Sequence, residues 1–304
     1  MMKSLRILLT GANGLLGQYL ISALDPTQTV VLATGLGSPR FKFPACEGFA
    51  YETLDITDAG QVREKVTAFR PDIIIHGAAL TAPDACELDH DLCRRVNVEA
   101  TRHLCEAAGH IDAFFIHLST DFVFDGSSGP YREEDHPAPV NFYGQSKLDA
   151  EQVVRNSGCR WAIVRTVLVY GNTFGATRSH LISWVRDKVG KGERIRVVGD
   201  QLRTPTYAGD LAKGVLLVAD KGTEGIFHIS GREQMTPYDM AMATCEALGL
   251  DHTLMDKVDA SVFSQPAQRP LRTGFIITKA ERELGYQPMS FREGLARMLA
   301  GNDL

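Results

Sequence analysis

The sequence predicts an α/β protein in which a doubly wound parallel sheet is followed by a smaller C-terminal lobe. Three observations support this prediction. Apolar runs of strand length alternate with longer stretches of helical periodicity over the first two-thirds of the 304-residue chain. The runs are apolar throughout, as in parallel strands that helices cover on both faces. A glycine-rich turn follows the first run, where a strand–helix unit binds its ligand.

The predicted strands are rich in β-branched and aromatic residues and cover 5–10, 29–34, 72–79, 113–119 and 161–170. The helices predicted between them cover 14–24, 58–69, 90–108 and 141–156. The pattern then changes to a short strand at 195–200, a helix at 209–220, a strand at 226–230 and helices at 236–248, 278–284 and 291–300. We expect a dinucleotide-binding domain over 1–170, to which 205–230 returns. The substrate-binding lobe is expected from 171–204 and 231–304.

Composition and charge exclude several classes of function. Hydrophobic residues make up 44% and charged residues 23%, and the net charge is −5 with scattered Lys and Arg, so we expect neither nucleic acid nor a membrane as a partner. The apolar run near the N-terminus is too short for a signal peptide or a membrane span. The cysteines are Cys46, Cys86, Cys93, Cys105, Cys159 and Cys245. Their spacing fits no zinc site, which favours buried thiols in a cytoplasmic protein without a metal.

The stretch LTGANGLLGQ places Gly11, Gly14 and Gly17 between the first strand and the first helix. The first glycine permits a tight turn, the second lets a pyrophosphate approach the backbone, and the third lets the helix pack on the sheet. The helix N-terminus then offers free N–H groups to the phosphates. Glycine triplets also occur in ordinary turns, but this context indicates a Rossmann dinucleotide-binding fold. Asn13 and Leu15, in the same turn, are further candidate contacts.

The tip of the second strand indicates which dinucleotide binds. An acidic residue there would hold the ribose 2′-hydroxyl of NAD(H), but Thr34, Ser38, Arg40 and Lys42 stand in this region instead. A hydroxyl and a guanidinium can hold a 2′-phosphate. The sequence therefore favours NADP(H), with NAD(H) as the alternative. The alternative interpretation is that Arg40 is only a solvated loop residue.

Further candidate cofactor contacts lie before the helix predicted over 58–69, at and after the end of the strand predicted over 72–79, and in the helix predicted over 90–108: Asp55, Ile56, Ala78, Ala79, Thr81 and Asn97. The Asp55 carboxylate suits an adenine amino group, and the small alanines allow close approach of the backbone. Each residue also has a structural interpretation. Asp55 fits a helix N-cap, the alanines fit tight packing, and Asn97 fits a polar helix face.

Tyr143 and Lys147 lie four residues apart, and therefore on the same face of a predicted helix. Such a pair is either a proton donor with the cation that tunes it, or a chance feature of a helix surface. The surrounding motifs decide between these interpretations. They are HLSTDFVFDG (117–126), FYGQSK (142–147), RTVLVYG (165–171), DQLRTPTYAGDLA (200–212), IFHISG (226–231) and AQRP (267–270).

These motifs, which span nearly the whole chain, resemble the dTDP-4-dehydrorhamnose reductase-like family of extended short-chain dehydrogenase/reductases. The resemblance implies hydride transfer from NADPH to a ketone carbon, commonly C4 of a nucleotide-linked keto-sugar. It also implies that Tyr143 donates the proton and that Lys147 lowers the pKa of the tyrosine and contacts the nicotinamide ribose. Thr120 matches the hydroxyl that holds the substrate carbonyl, with Ser119 as the alternative. A homodimer is plausible for this fold.

Two positions near the expected substrate depart from the family. Phe122 stands where the family usually has tyrosine, and Leu168 stands where a tryptophan lines the sugar site, so a hydroxyl and a stacking surface are lost. Asp121 is a further candidate substrate contact. Arg203 and Arg269 are candidates for a diphosphate, although Arg203 also fits a surface loop.

A second resemblance gives an alternative function. The stretches PYREEDHPAPVNFYGQSKLDAE (130–151) and GREQMTPYDMA (231–241) resemble the regulatory β subunit of methionine adenosyltransferase. That resemblance implies the same fold and NADP binding without turnover. Whether the ligand turns over or only binds distinguishes the two interpretations.

Overall fold

A computed structural model describes residues 4–40, 48–174 and 181–301. The strands are β1 (Leu5–Thr10), β2 (Thr29–Gly35), β3 (Phe49–Thr53), β4 (Ile73–His76), β5 (Phe114–Thr120), β6 (Trp161–Thr166), β7 (Val169–Tyr170), β8 (Ile195–Val198), β9 (Thr206–Tyr207), β10 (Gly225–His228) and β11 (Met255–Val258). Seven of them form one sheet in the order β10-β6-β5-β4-β1-β2-β3. Every pairing within this sheet is parallel.

The α-helices are α1 (Leu15–Ala23), α2 (Ala59–Phe69), α3 (Pro83–Leu88), α4 (His90–Arg94), α5 (Ala100–Ile111), α6 (Phe142–Arg155), α7 (Leu181–Val189), α8 (Ala208–Lys221), α9 (Pro237–Leu248), α10 (Thr278–Leu284) and α11 (Phe291–Ala300). A π-helical turn, Arg95–Glu99, joins α4 to α5. Short 3₁₀ turns cover Asp121–Val123, His252–Leu254 and Ala260–Val262. None of the helices in these described ranges is long and apolar enough to span a membrane.

The seven-stranded sheet is buried on both faces, which explains why its strands are apolar without alternation. In β1, Ile7 and Leu9 pack into a core with helices α1 and α8, while Leu8 points into a second core with α2 and α5. The order of the strands reverses between β1 and β4, and the carboxyl ends of these two strands therefore open onto a crevice where α/β proteins bind ligands. The predicted doubly wound Rossmann sheet is confirmed.

A smaller unit of structure follows in the C-terminal part of the chain. Strands β8 and β11 pair in parallel, and α7 and α9 pack on them around Val185, Ile195 and Cys245. Strand β10 returns to the edge of the main sheet beside β6. Helices α10 and α11 contribute Ala280 and Leu295 to the core of the main sheet. The boundaries of the two lobes given above stay a prediction.

The structure differs from the predicted elements at several places, two of which lie at the cleft or support it. The strand predicted over 161–170 ends at Thr166, because Leu168, between β6 and β7, has a φ of 36°, and β7 then pairs with β9 outside the main sheet. The helix predicted over 90–108 is interrupted by the π-helical turn, and it runs on to Ile111. Neither feature has a sequence signal, since Leu168 is not a residue type that favours positive φ.

The described cysteines all have free thiols. Cys86, Cys93, Cys105 and Cys245 are buried and Cys159 is half-buried. Cys46 lies outside the described residues. No group of three or more His, Cys, Asp or Glu side chains within the described ranges is placed to hold a metal ion.

Candidate active site

A cleft of about 880 Å³ lies at the carboxyl ends of the central strands. The predicted site residues that line it are Gly11, Asn13, Gly14, Leu15, Gly17, Arg40, Asp55, Ile56, Ala78, Ala79, Thr81, Thr120, Asp121, Phe122, Tyr143, Lys147, Leu168, Arg203 and Arg269. Asn97 is the predicted site residue that does not line it. The fold thus brings together residues that are up to 258 positions apart (269 − 11 = 258).

The glycine turn forms the wall of the cleft between β1 and α1. Gly11 has a φ of +78°, and a Cβ there would lie 2.7 Å from the backbone nitrogen of Ala78, so a side chain is excluded for two reasons. A Cβ on Gly17 would overlap the Gly11 carbonyl. No side chain caps the N-terminus of α1 at Gly14. Its N–H groups and the helix dipole are therefore available to an anion in the cleft.

Asn13 organises the loop that follows β2. Its Nδ2 donates to Tyr51 Oη at 2.9 Å, and its Oδ1 accepts from the backbone N–H of Arg40 at 2.9 Å. Tyr51 Oη donates in turn to the Gly37 carbonyl at 2.8 Å. This network links the glycine turn to the exposed Arg40 at the end of the cleft. The hydroxyl of Thr34 instead donates to the Leu9 carbonyl at 3.1 Å, and Lys42 lies outside the described residues.

Asp55 lines the cleft beyond β3, and it is not a helix N-cap. Its Oδ1 accepts from the backbone N–H of Thr57 at 2.9 Å and from the Thr57 hydroxyl at 2.7 Å. The side chain of Asp58 caps α2 by accepting from the N–H groups of Gly60 and Gln61. The N-cap interpretation therefore belongs to Asp58.

Asn97 does not line the cleft, but its side chain supports the loop that forms the cleft wall. It is 1% exposed, accepts from the Leu80 N–H at 2.8 Å and donates to the Leu80 carbonyl at 3.1 Å. Its Nδ2 also donates to Ser146 Oγ at 2.9 Å, and Ser146 Oγ donates to the Tyr143 carbonyl at 2.8 Å. The side chain predicted to meet the cofactor therefore fixes the loop after β4 to helix α6. The π-helical turn, a common feature of functional sites, carries this asparagine.

Tyr143 and Thr120 face each other across the cleft wall. Thr120 ends β5, Tyr143 stands in the first turn of α6, and both buried side chains line the cleft. Burial raises the pKa of Tyr143 above its ordinary value of 10, against a smaller lowering by Thr120. The phenol therefore keeps its proton at neutral pH.

Ser119, the alternative to Thr120, is engaged elsewhere. Its hydroxyl donates to Glu151 Oε1 at 2.6 Å, and Arg165 binds both oxygens of that carboxylate at 2.9 and 2.7 Å. The ion pair is buried, with each side chain 2% exposed. Because Ser119 supports this network, the geometry favours Thr120 as the hydroxyl that meets a ligand.

Helix α6 is fixed at its N-terminus by Asn141. The Asn141 side chain accepts from the Gly144 N–H at 2.8 Å and donates to the Gln268 carbonyl at 2.7 Å. A Cβ on Gly144 would overlap the Phe122 carbonyl, so only glycine permits this approach of α6 to the turn after β5. These contacts set the position of Tyr143 relative to Thr120.

Lys147 is buried one turn beyond Tyr143, and its Nζ lies 3.1 Å from His117 Nε2. Burial lowers the pKa of Lys147 to about 8, although the charge of Glu151 opposes this. Burial dominates the pKa of Tyr143, and the lowering by Lys147 stays a prediction. The ammonium group is directed to His117 on β5.

Arg203 and Asp121 form a buried pair, with Nε and Oδ2 3.6 Å apart. Asp121 also accepts from the hydroxyls of Thr120, at 3.1 Å, and of Thr273. Arg203 donates to the carbonyls of Pro270 at 2.6 Å and Leu271 at 3.0 Å. Its guanidinium therefore anchors this C-terminal segment at the cleft, and its burial corrects the surface-loop interpretation, while the diphosphate role stays a prediction.

The remaining predicted substrate residues lie around this pair. Arg269 donates two hydrogen bonds to Asp84, at 2.6 and 2.8 Å. The ring of Phe122 meets the ring of Tyr143 edge to face, with centroids 5.7 Å apart. Leu168 is 41% exposed, and its positive φ places an apolar side chain in the cleft at a cost in backbone strain.

Residues 5–303 match the protein-family model described as "RmlD substrate binding domain". The chain belongs to this family. It is 35% identical over 296 residues to the "probable low-salt glycan biosynthesis reductase Agl14" of Haloferax volcanii, covering 96% of each chain. It is also 34% identical to "methionine adenosyltransferase 2 subunit beta" of Pongo abelii over 97% of this chain and 87% of that protein.

A solved structure shows the same fold. The crystal structure of the dTDP-4-dehydrorhamnose reductase of Bacillus anthracis, in complex with NADP, matches with a TM-score of 0.86 at 29% identity. The match covers 99% of this chain and 100% of that one. These comparisons confirm the predicted family, the extended short-chain dehydrogenase/reductases related to dTDP-4-dehydrorhamnose reductase.

Proposed function

We propose that the protein is a cytoplasmic reductase that uses NADP(H), with NAD(H) as a second cofactor, to reduce a nucleotide-linked 4-keto-sugar such as dTDP-4-dehydrorhamnose. The observation that carries this proposal is that the buried side chains of Thr120, Tyr143 and Lys147 line one cleft, with Lys147 one helical turn from Tyr143. The glycine turn lines the same cleft. A bound hydride donor and the proton donor would therefore lie in one place.

The residues of the cleft fit a dinucleotide, which supplies the hydride when bound. The uncapped N-terminus of α1 and the glycine turn would hold its diphosphate, since no Cβ fits at Gly11 or Gly17. Asp55 would receive the adenine amino group, and Arg40 would hold the 2′-phosphate of NADP(H). The Bacillus anthracis relative, whose structure contains NADP, supports this choice.

Tyr143 would act as the general acid of the reduction. Its raised pKa keeps the phenol protonated at neutral pH, so that it can donate a proton to the oxygen of the ketone as negative charge develops there. The positive charge of Lys147 would stabilise the tyrosinate that remains. The Thr120 hydroxyl would orient the carbonyl oxygen beside Tyr143.

The substrate side of the cleft would take a sugar with an apolar face. Phe122 and Leu168 present hydrocarbon where the family commonly has a hydroxyl and an indole. Arg269, 15% exposed, lies at the same end of the cleft but is paired with Asp84. This change in the wall favours a sugar or nucleotide different from the one that suits relatives with the aromatic residue.

The second candidate is an NADP-binding regulatory subunit without turnover. It is favoured by the match to methionine adenosyltransferase 2 subunit beta, which is nearly as similar as the match to the Haloferax reductase. The presence of Thr120, Tyr143 and Lys147 together in the cleft favours the reductase. A homodimer remains part of the proposal, and light scattering of the purified protein would test it.

The deciding experiment follows the loss of NADPH absorbance with a panel of nucleotide 4-keto-sugars, beside a titration of NADPH alone. Oxidation with one sugar would support the reductase and identify its substrate. Tight NADPH binding without oxidation on any sugar of the panel would overturn the reductase in favour of the regulatory subunit. Absence of NADPH binding would overturn both.

A further inference from the structure

His117 is a buried histidine of β5 that opens the motif HLSTDFVFDG and has been given no role so far. It lies two residues before Ser119, its side chain is 0% exposed, and its Nε2 lies 3.1 Å from Lys147 Nζ. An ammonium group can only donate hydrogen bonds, so Nε2 accepts this one and the ring proton resides on Nδ1. Burial, followed by the charge of Lys147, holds the pKa of His117 well below 6.5, and the ring is neutral at pH 7.

His117 is the acceptor on which the Lys147 ammonium depends. Within residues 4–40, 48–174 and 181–301 no carboxylate lies within 4.0 Å of Lys147 Nζ. The nearest candidate, Glu151, already accepts from Arg165 and Ser119. A buried ammonium group without an acceptor is costly, because burial disfavours the charged form. The hydrogen bond to His117 offsets part of that cost.

The titratable groups around this pair act on the ammonium charge without accepting a hydrogen bond from it. Glu151 on α6 attracts the ammonium charge but is paired with Arg165. His76 on β4, whose ring centroid lies 5.3 Å from that of His117, has a pKa lowered to about 3 and is neutral. The thiols Cys86 and Cys93, on α3 and α4, also attract the charge, and the neighbouring Cys86 side chain lowers the pKa of Cys93 to about 7. Among the described residues, His117 is therefore the group that accepts a hydrogen bond from Lys147.

We infer that His117 is a positioning residue, which fixes the Lys147 ammonium at the cleft by accepting one of its three N–H bonds. This inference rests on the proposed function of Lys147. The other two N–H groups remain for a ligand in the cleft, since Lys147 is one of its lining residues. The hydrogen bonds of Asn97 and Ser146 set the backbone of α6, whereas His117 sets the end of the lysine side chain.

The matched variants are His117→Gln and His117→Leu. The amide oxygen of glutamine reaches about as far as Nε2 and keeps an acceptor, whereas leucine removes it. The pKa of Lys147 is measured in the ligand-free proteins by NMR of 13Cε-labelled lysine, with the signal assigned from Lys147→Met. We expect the leucine variant to lower that pKa by about 1 unit or more, and the glutamine variant to restore it.

The activity of the same proteins gives the second readout. In the leucine variant the alkaline limb of the kcat/KM profile should move to lower pH, with a loss of about fivefold or more at pH 8, and the glutamine variant should restore it. His117→Asn, whose oxygen is too short to reach the ammonium, should behave as the leucine variant and replaces it if that protein does not fold. Thermal unfolding of each variant separates a loss of stability from the pKa shift.

Equal Lys147 pKa values in the wild type and all three variants would overturn the role of His117. The same holds if glutamine and leucine reduce activity equally in folded proteins. If Lys147→Met itself keeps full turnover, the proposed function of Lys147 fails. This result differs from the outcomes that overturn the role of His117. The NMR measurement needs no turnover, so each failure is recognised separately.

Discussion

Arg269 donates two hydrogen bonds to the carboxylate of Asp84, 185 residues earlier in the chain, at 2.6 and 2.8 Å. Asp84 stands in the first turn of α3, and it also accepts from the backbone N–H of Ala267 at 3.1 Å. The pair therefore joins the C-terminal segment to the Rossmann sheet at the substrate end of the cleft. A bidentate pair of this kind fixes geometry as well as adding stability.

Breaking this pair should affect the sugar more than the cofactor. We expect Arg269→Ala and Asp84→Ala each to raise KM for the keto-sugar severalfold and to leave the NADPH Kd within about twofold. A double-mutant cycle on the free energy of unfolding should give a coupling of about 1 kcal/mol, since Asp84 is partly exposed. Additive effects of the two substitutions on the free energy of unfolding would show that the pair does not join the C-terminal segment to the Rossmann sheet. A loss of NADPH affinity larger than the effect on the keto-sugar would show the same.

Lys147→Met should stabilise the ligand-free protein while abolishing turnover. The pKa of Lys147 is lowered from 10.5 to about 8, so below pH 8 the folded state carries a buried charge that the unfolded state solvates. We expect the variant to raise the free energy of unfolding by on the order of 1–3 kcal/mol at pH 7 in urea titrations. Lys191→Met, at an exposed side chain just after α7, is the control and should change little.

The pH dependence of this effect has a definite sign. Between pH 8 and 10.5 the folded wild type releases the Lys147 proton before the unfolded chain does, so its stability rises with pH over this window. The advantage of Lys147→Met should therefore shrink from pH 8 to 10.5. A difference in the free energy of unfolding between the variant and the wild type that stays constant, or that grows with pH, would contradict the cost assigned to burying the Lys147 charge.

Arg40→Ala should distinguish the two dinucleotides. The backbone of Arg40 is held by Asn13, and its side chain is exposed at the end of the cleft where a 2′-phosphate would lie. Loss of a charged hydrogen bond predicts a decrease of about 10- to 100-fold in NADPH affinity with little change for NADH. Fluorescence titrations with both cofactors measure it, and Arg63→Ala on the exposed face of α2 is the control. Equal losses for both cofactors would exclude the 2′-phosphate role.

The sequence predicts the parts of the fold that local patterns encode. The uniformly apolar runs of β1, β4 and β5 follow from burial on both faces, and the glycines at 11 and 17 follow from backbone contacts that exclude a side chain. The strained backbone at Leu168 and the π-helical turn leave no such signal, because neither residue type nor periodicity marks them.

The parts of the site that the sequence does not predict are contacts between distant segments. Tyr51, whose hydroxyl meets Asn13, and His117, which meets Lys147, do not stand out in the sequence, because each acts through a partner that only the folded sheet brings near. The sequence singles out Arg203 but not its partners, which are the Asp121 carboxylate and backbone carbonyls of the C-terminal segment.

The most direct test of the account is the turnover of Tyr143→Phe with NADPH and the best keto-sugar of the panel. Tyr238→Phe on α9, a tyrosine that does not line the cleft, is the matched control. The account predicts a loss of about 100-fold or more in kcat, because phenylalanine has no proton to donate, with NADPH affinity within a few-fold of wild type. A variant as active as the wild type would contradict the central role of Tyr143.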